Sequence, residues 1–529
     1  MIIFTYPDGR AGAAVLDRCL PIGVSSGCVQ TSPDKETAVP FQLPIQGPGD
    51  PADLPAPEES PAPVAPQNDL SRRSLLLAAP TLLGATAISY ARVVGANERI
   101  HLGHVGIGNR GRELASVAAG LKSTQNVEMV AVCDLWNVNR ERAAKTAADE
   151  YGRAPRTFQY VEDVLADKDV DAVIISTADF QHAPLLRLAA EAGKDAYCEK
   201  PMATDLHEAK AACDAVLSRK LIVQIGTQHR SEPYQAAVRD LVEKGALGRI
   251  SKVEIVWNFH GPRWRGRPEV RQIREQDTDW RKWLLTKPYR PFDPRAYFEF
   301  RLYREFSSGI PDQWMSHAID MVHHVTGDPL PLSAVAHGGV FAWPDGRENP
   351  DTFQALLEYP KGFLVSYSTS FGNDSDSFTR IMGDKATLVN IGGEGSQRWK
   401  LVEEKGTHER NPFLRRPERL IKLDATERHG MSWSQKLLTG AVEKTYGPLP
   451  FISDSNPSHM RNWLECLRTR NQPNANVERG LAQSAAVIMS ARAQQEGKKL
   501  YWNAQEREIV ERAPADSTAE RRASFNQRA

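Results

Sequence analysis

Three glycines in the run Gly106-Ile107-Gly108-Asn109-Arg110-Gly111 have the spacing of a phosphate-binding turn. Gly106 would make the tight turn, Gly108 would let the backbone approach a diphosphate, and Gly111 would let the following helix pack closely. The unsatisfied N–H groups at the start of that helix would bind the phosphates. The run therefore predicts a dinucleotide site; the alternative is a glycine-rich turn that binds no ligand.

A carboxylate, Asp134, lies where such a site binds the ribose hydroxyls, directly after the apolar run 127–133. Its charge would repel the 2′-phosphate of NADP, and Leu135 and Trp136 supply no arginine to offset that repulsion. The sequence therefore favours NAD over NADP.

A lysine that could take part in proton transfer occurs in Glu199-Lys200-Pro201, after a short apolar stretch. If that stretch is a strand of the nucleotide-binding sheet, Lys200 lies near the nicotinamide, where a partly desolvated amine can hold a substrate hydroxyl and share its proton. The alternative is a solvated lysine at a helix start.

The elements that must position these residues alternate along the chain. Apolar stretches at 100–107, 127–133, 170–175, 195–198 and 221–225 are separated by segments with helical patterns. Near-continuous apolar strands are typical of a parallel sheet that is buried on both faces. The pattern predicts an α/β fold with a doubly wound Rossmann sheet over residues 97–225.

Longer, alternating strands follow from residue 226 and predict an α+β domain with an open, largely antiparallel sheet over 226–505. A polar tail, 506–529, is expected to fray. The insertion 259–330 is dense in Trp, Tyr and Arg and is expected to form a wall over the cofactor. Trp264 and Tyr297 are its candidate sugar-binding rings.

The amino-terminal segment has a different composition. Residues 1–70 contain twelve prolines and little apolar periodicity, which predicts disorder. Residues 71–96 begin Ser-Arg-Arg-Ser-Leu-Leu-Leu, as in a twin-arginine export signal, and are too short for a confident membrane span. Because such signals normally open a chain, we expect the true start near Val64 or Leu70, with the earlier residues a gene-model artefact. The alternative is an ordinary amphipathic helix after a linker.

Charge and cysteine usage exclude several classes of site. With 66 basic and 66 acidic residues and no basic stripe, the chain is not expected to bind nucleic acid. The cysteines at 133, 198, 213 and 466 have no metal-type spacing and are expected to be buried thiols. His323 and His324 are adjacent on a helix and cannot converge on one ion, so no metal is expected.

Three longer stretches identify a family: STADFQHAPLLRLAAEAGKDAYCEKPM at 176–202, DWRKWLLTKPYRPFDPRAYFEFR at 279–301 and SSGIPDQWMSHAIDMVHHVTGDP at 307–329. Together with the glycine run they resemble the Gfo/Idh/MocA family of glucose–fructose oxidoreductases, inositol dehydrogenases and rhizopine-catabolism oxidoreductases. The resemblance runs from about residue 98 to 503. It implies a Rossmann domain followed by an open-faced α/β domain that often pairs with its copy, hence a homo-oligomer, dimer or tetramer.

The resemblance also implies roles for individual residues. Lys200 would be the active-site lysine, Glu199 would lie beside the nicotinamide ribose, and a loop along the cofactor would contain Ser176, Thr177, Asp179 and His182. His317 would face the substrate as an acid or base; the alternative is a buried core histidine. Four residues earlier, Gln313 replaces the aspartate usual in the family, and glutamine cannot take a proton. Arg230, after the last Rossmann strand, is a candidate substrate contact or part of a domain-crossing loop.

These observations predict a nicotinamide-dependent oxidoreductase acting on a sugar or polyol. If the chain is exported to the periplasm, folded and loaded beforehand, its NAD would stay tightly bound and be recycled. One alternative is an NAD-retaining glycosidase, lyase or epimerase that oxidises its substrate transiently. The other, which Gln313 supports best, is a non-catalytic sugar- or nucleotide-binding protein.

Overall fold

The structure is a computed structural model that describes residues 98–375, 377–391, 399–404 and 457–514, together with 4–5 and 11–12. The proline-rich extension, the export signal at 71–96 and the proposed start near residue 64 or 70 lie outside the described residues, apart from those four. The chain divides into two units, Met1–Leu82 and Leu83–Ala529. In the first, Phe4–Thr5 pairs antiparallel with Ala11–Gly12.

The second unit begins with a six-stranded sheet in which every neighbouring pair is parallel. The strand order is β3-β2-β1-β4-β5-β6. Because this order reverses between β1 and β4, the carboxyl ends of those two strands open a crevice that can hold a ligand. The predicted Rossmann sheet is confirmed. Its strands are β1 (Ile100–Val105), β2 (Val127–Cys133), β3 (Arg156–Phe158), β4 (Ala172–Ile175), β5 (Asp195–Cys198) and β6 (Val223–Ile225).

Helices cover both faces of this sheet, as its apolar strands require. One face packs against α4, α5 and α6, and the other against α1, α3 and α11. The helices of this part are α1 (Asn109–Gly120), α2 (Lys122–Gln125), α3 (Asn137–Tyr151), α4 (Val161–Ala166), α5 (His182–Glu191), α6 (Leu206–Ser218) and, from the far end of the chain, α11 (Pro457–Thr469). Trp463 of α11 is fully buried there. The segment 226–505 therefore contributes to both halves of the unit.

A nine-stranded sheet forms the second half, in the order β15-β14-β13-β7-β11-β10-β9-β16-β17. Only the central pair, β7 with β11, is parallel, so the sheet is largely antiparallel, as predicted. The strands are β7 (Ile250–Val256), β8 (Phe259–His260), β9 (Ser333–Gly339), β10 (Thr352–Tyr359), β11 (Phe363–Ser370), β12 (Gly372–Asn373), β13 (Phe378–Gly383), β14 (Ala386–Ile391), β15 (Trp399–Glu403), β16 (Leu500–Asn503) and β17 (Glu508–Val510). The two-residue strands β8 and β12 pair separately.

One face of the nine-stranded sheet is buried against α7 (Pro233–Glu243), α10 (Ser316–Thr326) and α12 (Val477–Glu496). Alternate residues of β9, β10 and β11 point to the other face, where Val335, Leu356 and Leu364 are exposed. The predicted fraying from residue 506 is wrong for the first residues of the tail. Ile509 is buried and β17 pairs with β16, because the hairpin extends the hydrophobic sheet edge.

The aromatic insertion forms its own small core around Trp280, Trp283 and Phe306, and contains α8 (Trp280–Leu284) and α9 (Pro294–Phe298). Phe180, in the loop after β4, packs edge-on against Trp283 with ring centroids 5.2 Å apart. The insertion is therefore attached to the Rossmann half beside its crevice, where the sequence predicted a wall.

Candidate active site

The glycine turn between β1 and α1 needs glycine at two positions for steric reasons. Gly106 has a φ of +80°, and a Cβ there would lie 2.5 Å from the Thr177 side chain. A Cβ on Gly111 would lie 2.5 Å from the carbonyl oxygen of Gly106. At Gly108 the space is open: apart from its chain neighbours, no atom lies within 4 Å of the position that a Cβ would take. That open space lies at the N-terminus of α1, where a diphosphate would approach the backbone.

Several polar groups around this turn suit a dinucleotide. No side chain caps the N-terminus of α1, so the N–H groups of its first turn can donate to an anion. Thr177 Oγ1 and His182 Nε2 are buried and make no hydrogen bond within the described residues. Both residues line the same cleft. Buried polar atoms rarely stay unsatisfied, and NAD would supply partners for them.

Asp134 lies at the end of β2 and stabilises the glycine turn. Its carboxylate accepts hydrogen bonds from the backbone N–H of Ile107 at 2.7 Å and of Trp136 at 3.0 Å. Burial raises the pKa of Asp134 above its ordinary value, while these hydrogen bonds oppose the shift. Asp134 also lines the cleft.

Tyr297 lies beside Asp134. Its ring stacks on that of Trp283 with centroids 5.2 Å apart, and its hydroxyl accepts a hydrogen bond from Thr278 at 3.1 Å. Burial raises the pKa of Tyr297, and the nearby Asp134 carboxylate raises this pKa further. Tyr297 lines the cleft on the side of Asp134, and its contact with the substrate stays a prediction.

Glu199 and Lys200 follow β5 and enter the cleft from the Rossmann half. The buried carboxylate of Glu199 accepts hydrogen bonds from Arg110 Nε at 2.8 Å and from the Lys200 backbone N–H at 3.1 Å. Lys200 Nζ donates to the carbonyl oxygen of Gln313 at 2.6 Å. The two halves of the unit therefore meet at the amine of Lys200.

Gln313 lies in a turn of π-helix, Pro311–Met315, that runs directly into α10. Such turns widen the helix and occur often at functional sites. Gln313 Nε2 donates to the carboxylate of Asp179 at 2.6 Å, and Ser307 Oγ donates to the same oxygen at 2.8 Å. Asp179 has no exposed surface and does not line the cleft. It holds Gln313 and is not itself in a position to contact a cofactor.

Asp312, next to Gln313, points away from the cleft. Its carboxylate accepts a hydrogen bond from the Ser308 backbone N–H at 2.6 Å. Burial, and then the nearby charge of Asp179, raise the pKa of Asp312 from 3.8 to about 7. The π-turn therefore contains one acid with a pKa near neutrality, Asp312, and it lies behind Gln313.

His317 is half-buried at the start of α10 and lines the cleft. Its ring lies edge-on to His229 with centroids 5.2 Å apart. Burial, and then the positive charges of Lys200 and neighbouring groups, hold the pKa of His317 well below its usual range. The imidazole is therefore neutral at physiological pH and can accept a proton.

Arg230, a predicted substrate contact, is buried below this helix. Its Nε donates to both carboxylate oxygens of Asp320 at 2.8 and 2.9 Å, and it does not line the cleft. Because its charge is already paired with Asp320, Arg230 anchors α10. Gln228, two residues earlier, lines the cleft instead. Ile107 and Gly111, expected at the cofactor, also stand behind the cleft surface.

One cleft of about 500 Å³ contains most of the predicted site. It connects the glycine turn with Lys200 and His317, and the aromatic insertion forms its outer wall. The predicted residues on its surface are Gly106, Gly108, Asn109, Arg110, Asp134, Ser176, Thr177, His182, Glu199, Lys200, Trp264, Tyr297, Gln313 and His317. Sequence reasoning missed Arg263, Phe300 and Arg301, which also line it. Their only signal in the sequence was the aromatic and basic composition of the insertion.

No cluster of three His, Cys, Asp or Glu side chains in the described part of the chain could hold a metal ion. The four cysteines there are buried and unpaired, as predicted. None of the described helices has the length and apolar character needed to cross a membrane.

Comparison with known proteins gives two family matches. Residues 100–227 match the oxidoreductase family domain described as an NAD-binding Rossmann fold, and residues 285–501 match its C-terminal alpha/beta domain. Together the matches cover well over half of the chain.

Similar sequences include an inositol 2-dehydrogenase of Rhizobium meliloti (strain 1021), 32% identical over 30% of this chain and 44% of the relative. A levoglucosan dehydrogenase of Pseudarthrobacter phenanthrenivorans is 29% identical over 37% of this chain and 43% of the relative. The chain thus spans about half the length of the curated relatives it matches.

Similar solved structures include the WlbA dehydrogenase of Bordetella pertussis in complex with NADH and UDP-GlcNAcA, with a TM-score of 0.54 and 19% identity over 77% of this chain and 99% of that one. A levoglucosan dehydrogenase in complex with NADH has a TM-score of 0.55 and 17% identity over 76% of this chain and 98% of that one. At these identities the likeness concerns the fold.

Proposed function

The chain belongs to the Gfo/Idh/MocA oxidoreductase family, and on that premise we propose that it transfers a hydride between NAD and a sugar or polyol bound beside Lys200 and His317. One observation carries the proposal. A single cleft joins the glycine turn, where the backbone can bind a diphosphate, to an amine and a neutral imidazole that can handle the proton.

The proposed reaction converts a secondary alcohol into a ketone. NAD, when bound, accepts the hydride that leaves the carbinol carbon. The hydroxyl proton goes to a protein base, so the products are the ketone, NADH and one proton. His317 lines the cleft and is neutral, so it is the proposed base; its lowered pKa means that it passes the proton on to solvent and does not keep it. The amine of Lys200 would hold the oxygen as its charge changes.

Gln313 changes how this proton transfer is supported. In place of an acid, its amide donates to Asp179 and its backbone carbonyl accepts from Lys200. The backbone carbonyl thus positions the lysine, and the side chain attaches this turn to Asp179 without exchanging a proton. We propose Lys200 and His317 as the catalytic pair and Gln313 as a positioning residue.

The other proposed contacts follow from the cleft surface. The amides of residues 108–110 would bind the diphosphate, Asp134 the adenosine ribose, and Glu199 the nicotinamide ribose. Thr177 and His182 would satisfy their buried polar atoms on the cofactor. Trp264 remains the ring proposed to pack against the sugar; it lines the cleft with a φ of 66°, and such backbone conformations occur often at ligand sites.

The test is to titrate the purified protein with NADH and then add a panel of sugars and polyols to the NAD-loaded protein. The proposal expects saturable NADH binding and a gain of the reduced-nicotinamide absorbance band with at least one compound. Binding of sugars without any change in that band would instead favour a non-catalytic binding protein.

Export by the twin-arginine route is a further part of the proposal, supported by the sequence at 71–77. An exported enzyme would work where free NAD is scarce, so it would retain and recycle its cofactor. It would do so either as a net oxidoreductase with two substrates or as an epimerase, lyase or glycosidase. Export can be tested with residues 64–100 fused to a reporter. Arg72 and Arg73 are then replaced by lysine in the same fusion. A purified protein that carries no NAD and turns over only with added NAD contradicts the closed cycle.

Self-association is proposed through the open face of the nine-stranded sheet. Val335, Leu356 and Leu364 are exposed there on neighbouring strands, and burying apolar surface favours association. Light scattering should give a dimer or tetramer, and Leu356→Lys should shift the mass toward the monomer. A wild-type monomer at micromolar concentration would contradict this.

A further inference from the structure

The positive charges of the cleft are unequally compensated. Arg110 pairs with Glu113 and Glu199. Lys282 pairs with Glu162 at 2.6 Å, and Arg267 pairs with Glu269 at 3.1 Å. By contrast, no carboxylate among the described residues lies within ion-pair distance of Arg263, which is exposed to the cleft.

Arg301 is only partly compensated. Its nearest carboxylate is the buried Asp179, at 3.5 Å, and the other oxygen of Asp179 already accepts hydrogen bonds from Gln313 and Ser307. The Nε atom of Arg301 is buried and makes no hydrogen bond within the described residues. A buried guanidinium donor left unsatisfied costs free energy unless a ligand supplies an acceptor.

Both arginines lie at the reacting end of the cleft. Arg301 reaches Asp179, which holds the Gln313 side chain. The guanidinium of Arg263 lies 5.5 Å from the ring centre of Trp314, the residue after Gln313. The Gln313 carbonyl binds Lys200. The cofactor's diphosphate would instead lie at the start of α1, so these two charges are available to the substrate.

The geometry of Arg263 suits an oxyanion. Its guanidinium also lies over the ring of Phe259, with 4.8 Å between Cζ and the ring centre. The N–H donors of a guanidinium lie in one plane, where they can bind two oxygens of one carboxylate or phosphate, and the two rings limit the positions that this group can take. A neutral sugar would leave the charge of Arg263 uncompensated and that of Arg301 compensated only by the buried Asp179.

We propose that the substrate is an anionic carbohydrate whose carboxylate or phosphate is bound by Arg263 and Arg301 while its carbinol faces Lys200. This inference rests on the proposed function and names the substrate class of the same site. The same geometry makes the two arginines repel each other, and burial and then Arg301 lower the pKa of Arg263.

The experiment measures binding by calorimetry, with and without saturating NADH, of D-glucuronate, D-glucose 6-phosphate and D-glucose. At least one anionic probe should bind about tenfold or more tightly than glucose, because charge-assisted hydrogen bonds are strong. Preference for glucuronate over glucose 6-phosphate would identify the group as a carboxylate, and the reverse preference as a phosphate.

Variants connect that preference to the two arginines. Arg263→Gln should weaken the preferred anion about 10- to 100-fold and leave glucose unchanged, and Arg263→Lys should restore part of the loss. Arg281→Gln is the matched control, because the Arg281 guanidinium also lies over a ring, with 4.1 Å between its Cζ and the ring centre of Tyr289, but does not line the cleft. It should change neither affinity.

Two results overturn the inference. The first is equal affinity for the charged and neutral probes, which includes the case in which no probe binds. The second is that Arg263→Gln lowers the affinity for charged and neutral probes equally. Failure of the proposed function differs from failure of this inference. In that case the protein does not bind NADH, regardless of which sugars bind.

Discussion

The glycine end and the lysine end of the cleft are built differently. At the glycine end, the ligand-facing groups are backbone amides within residues 106–111, and one short segment determines their geometry. At the lysine end, a single hydrogen bond joins Lys200 to Gln313, 113 positions apart in the chain. The first arrangement depends on local backbone conformation, whereas the second requires that both halves of the unit be folded and packed together.

The largest expected effect is at the lysine end. Lys200→Ala should lower the turnover rate about 100- to 10,000-fold, because proton transfer loses its positioned amine. NADH affinity should change little, since the backbone amides at the other end do not depend on this side chain. Steady-state kinetics and NADH titration measure the two quantities. A parallel loss of NADH affinity would mean that the two ends are not separable.

The glycine end offers a matched pair of substitutions. Gly106→Ala should lower the free energy of unfolding by about 3 kcal/mol, because φ is +80° and the new Cβ would clash with Thr177. Gly108→Ala should cost less than about 1 kcal/mol, since its space is open, yet weaken NADH about tenfold or more. Denaturant unfolding and NADH titration separate them. Unchanged NADH affinity in Gly108→Ala would place the diphosphate elsewhere.

Gln313→Asp, which restores the aspartate usual in the family, should destabilise this protein by about 2 kcal/mol. The amide that donates to Asp179 at 2.6 Å would be replaced by a second carboxylate in a buried site. Adding Asp179→Asn should recover most of the loss. If Gln313→Asp alone melts at the wild-type temperature, the Asp179–Gln313 contact does not define the lysine end.

The smallest effect concerns pH. Because the pKa of Asp312 rises from 3.8 to about 7 on folding, the native state binds more protons than the unfolded state between these values. Stability contributed by this group is therefore present below about pH 4 and lost as the pH rises to about 7. Asp312→Asn should show a smaller decline of melting temperature over that interval. Identical pH profiles would contradict the burial of a titrating acid there.

The sequence predicted the two ends unequally, for the same physical reason. The glycine turn, Asp134 and the strands around them could be read from it because spacing and apolar runs are local signals. Lys200 and His317 came from motifs of the resemblance. The support of Gln313 by Asp179 could not be predicted, since it depends on contact between segments 134 positions apart.

Two residues show where such reasoning fails. Arg230 was expected at the substrate, but a charge can be buried when a partner such as Asp320 lies close by, and sequence does not reveal that pairing. Arg263 was not singled out, because only the fold reveals that its charge faces the cleft without a described carboxylate partner.

The central claim is that backbone amides in the glycine turn bind a diphosphate and so place the nicotinamide against Lys200. A crystal structure with NADH tests it most directly. The account predicts diphosphate oxygens about 3 Å from amide nitrogens at the start of α1, with the nicotinamide ring between Lys200 and His317. A dinucleotide bound elsewhere, or a nicotinamide ring turned away from the Lys200 amine, would contradict it.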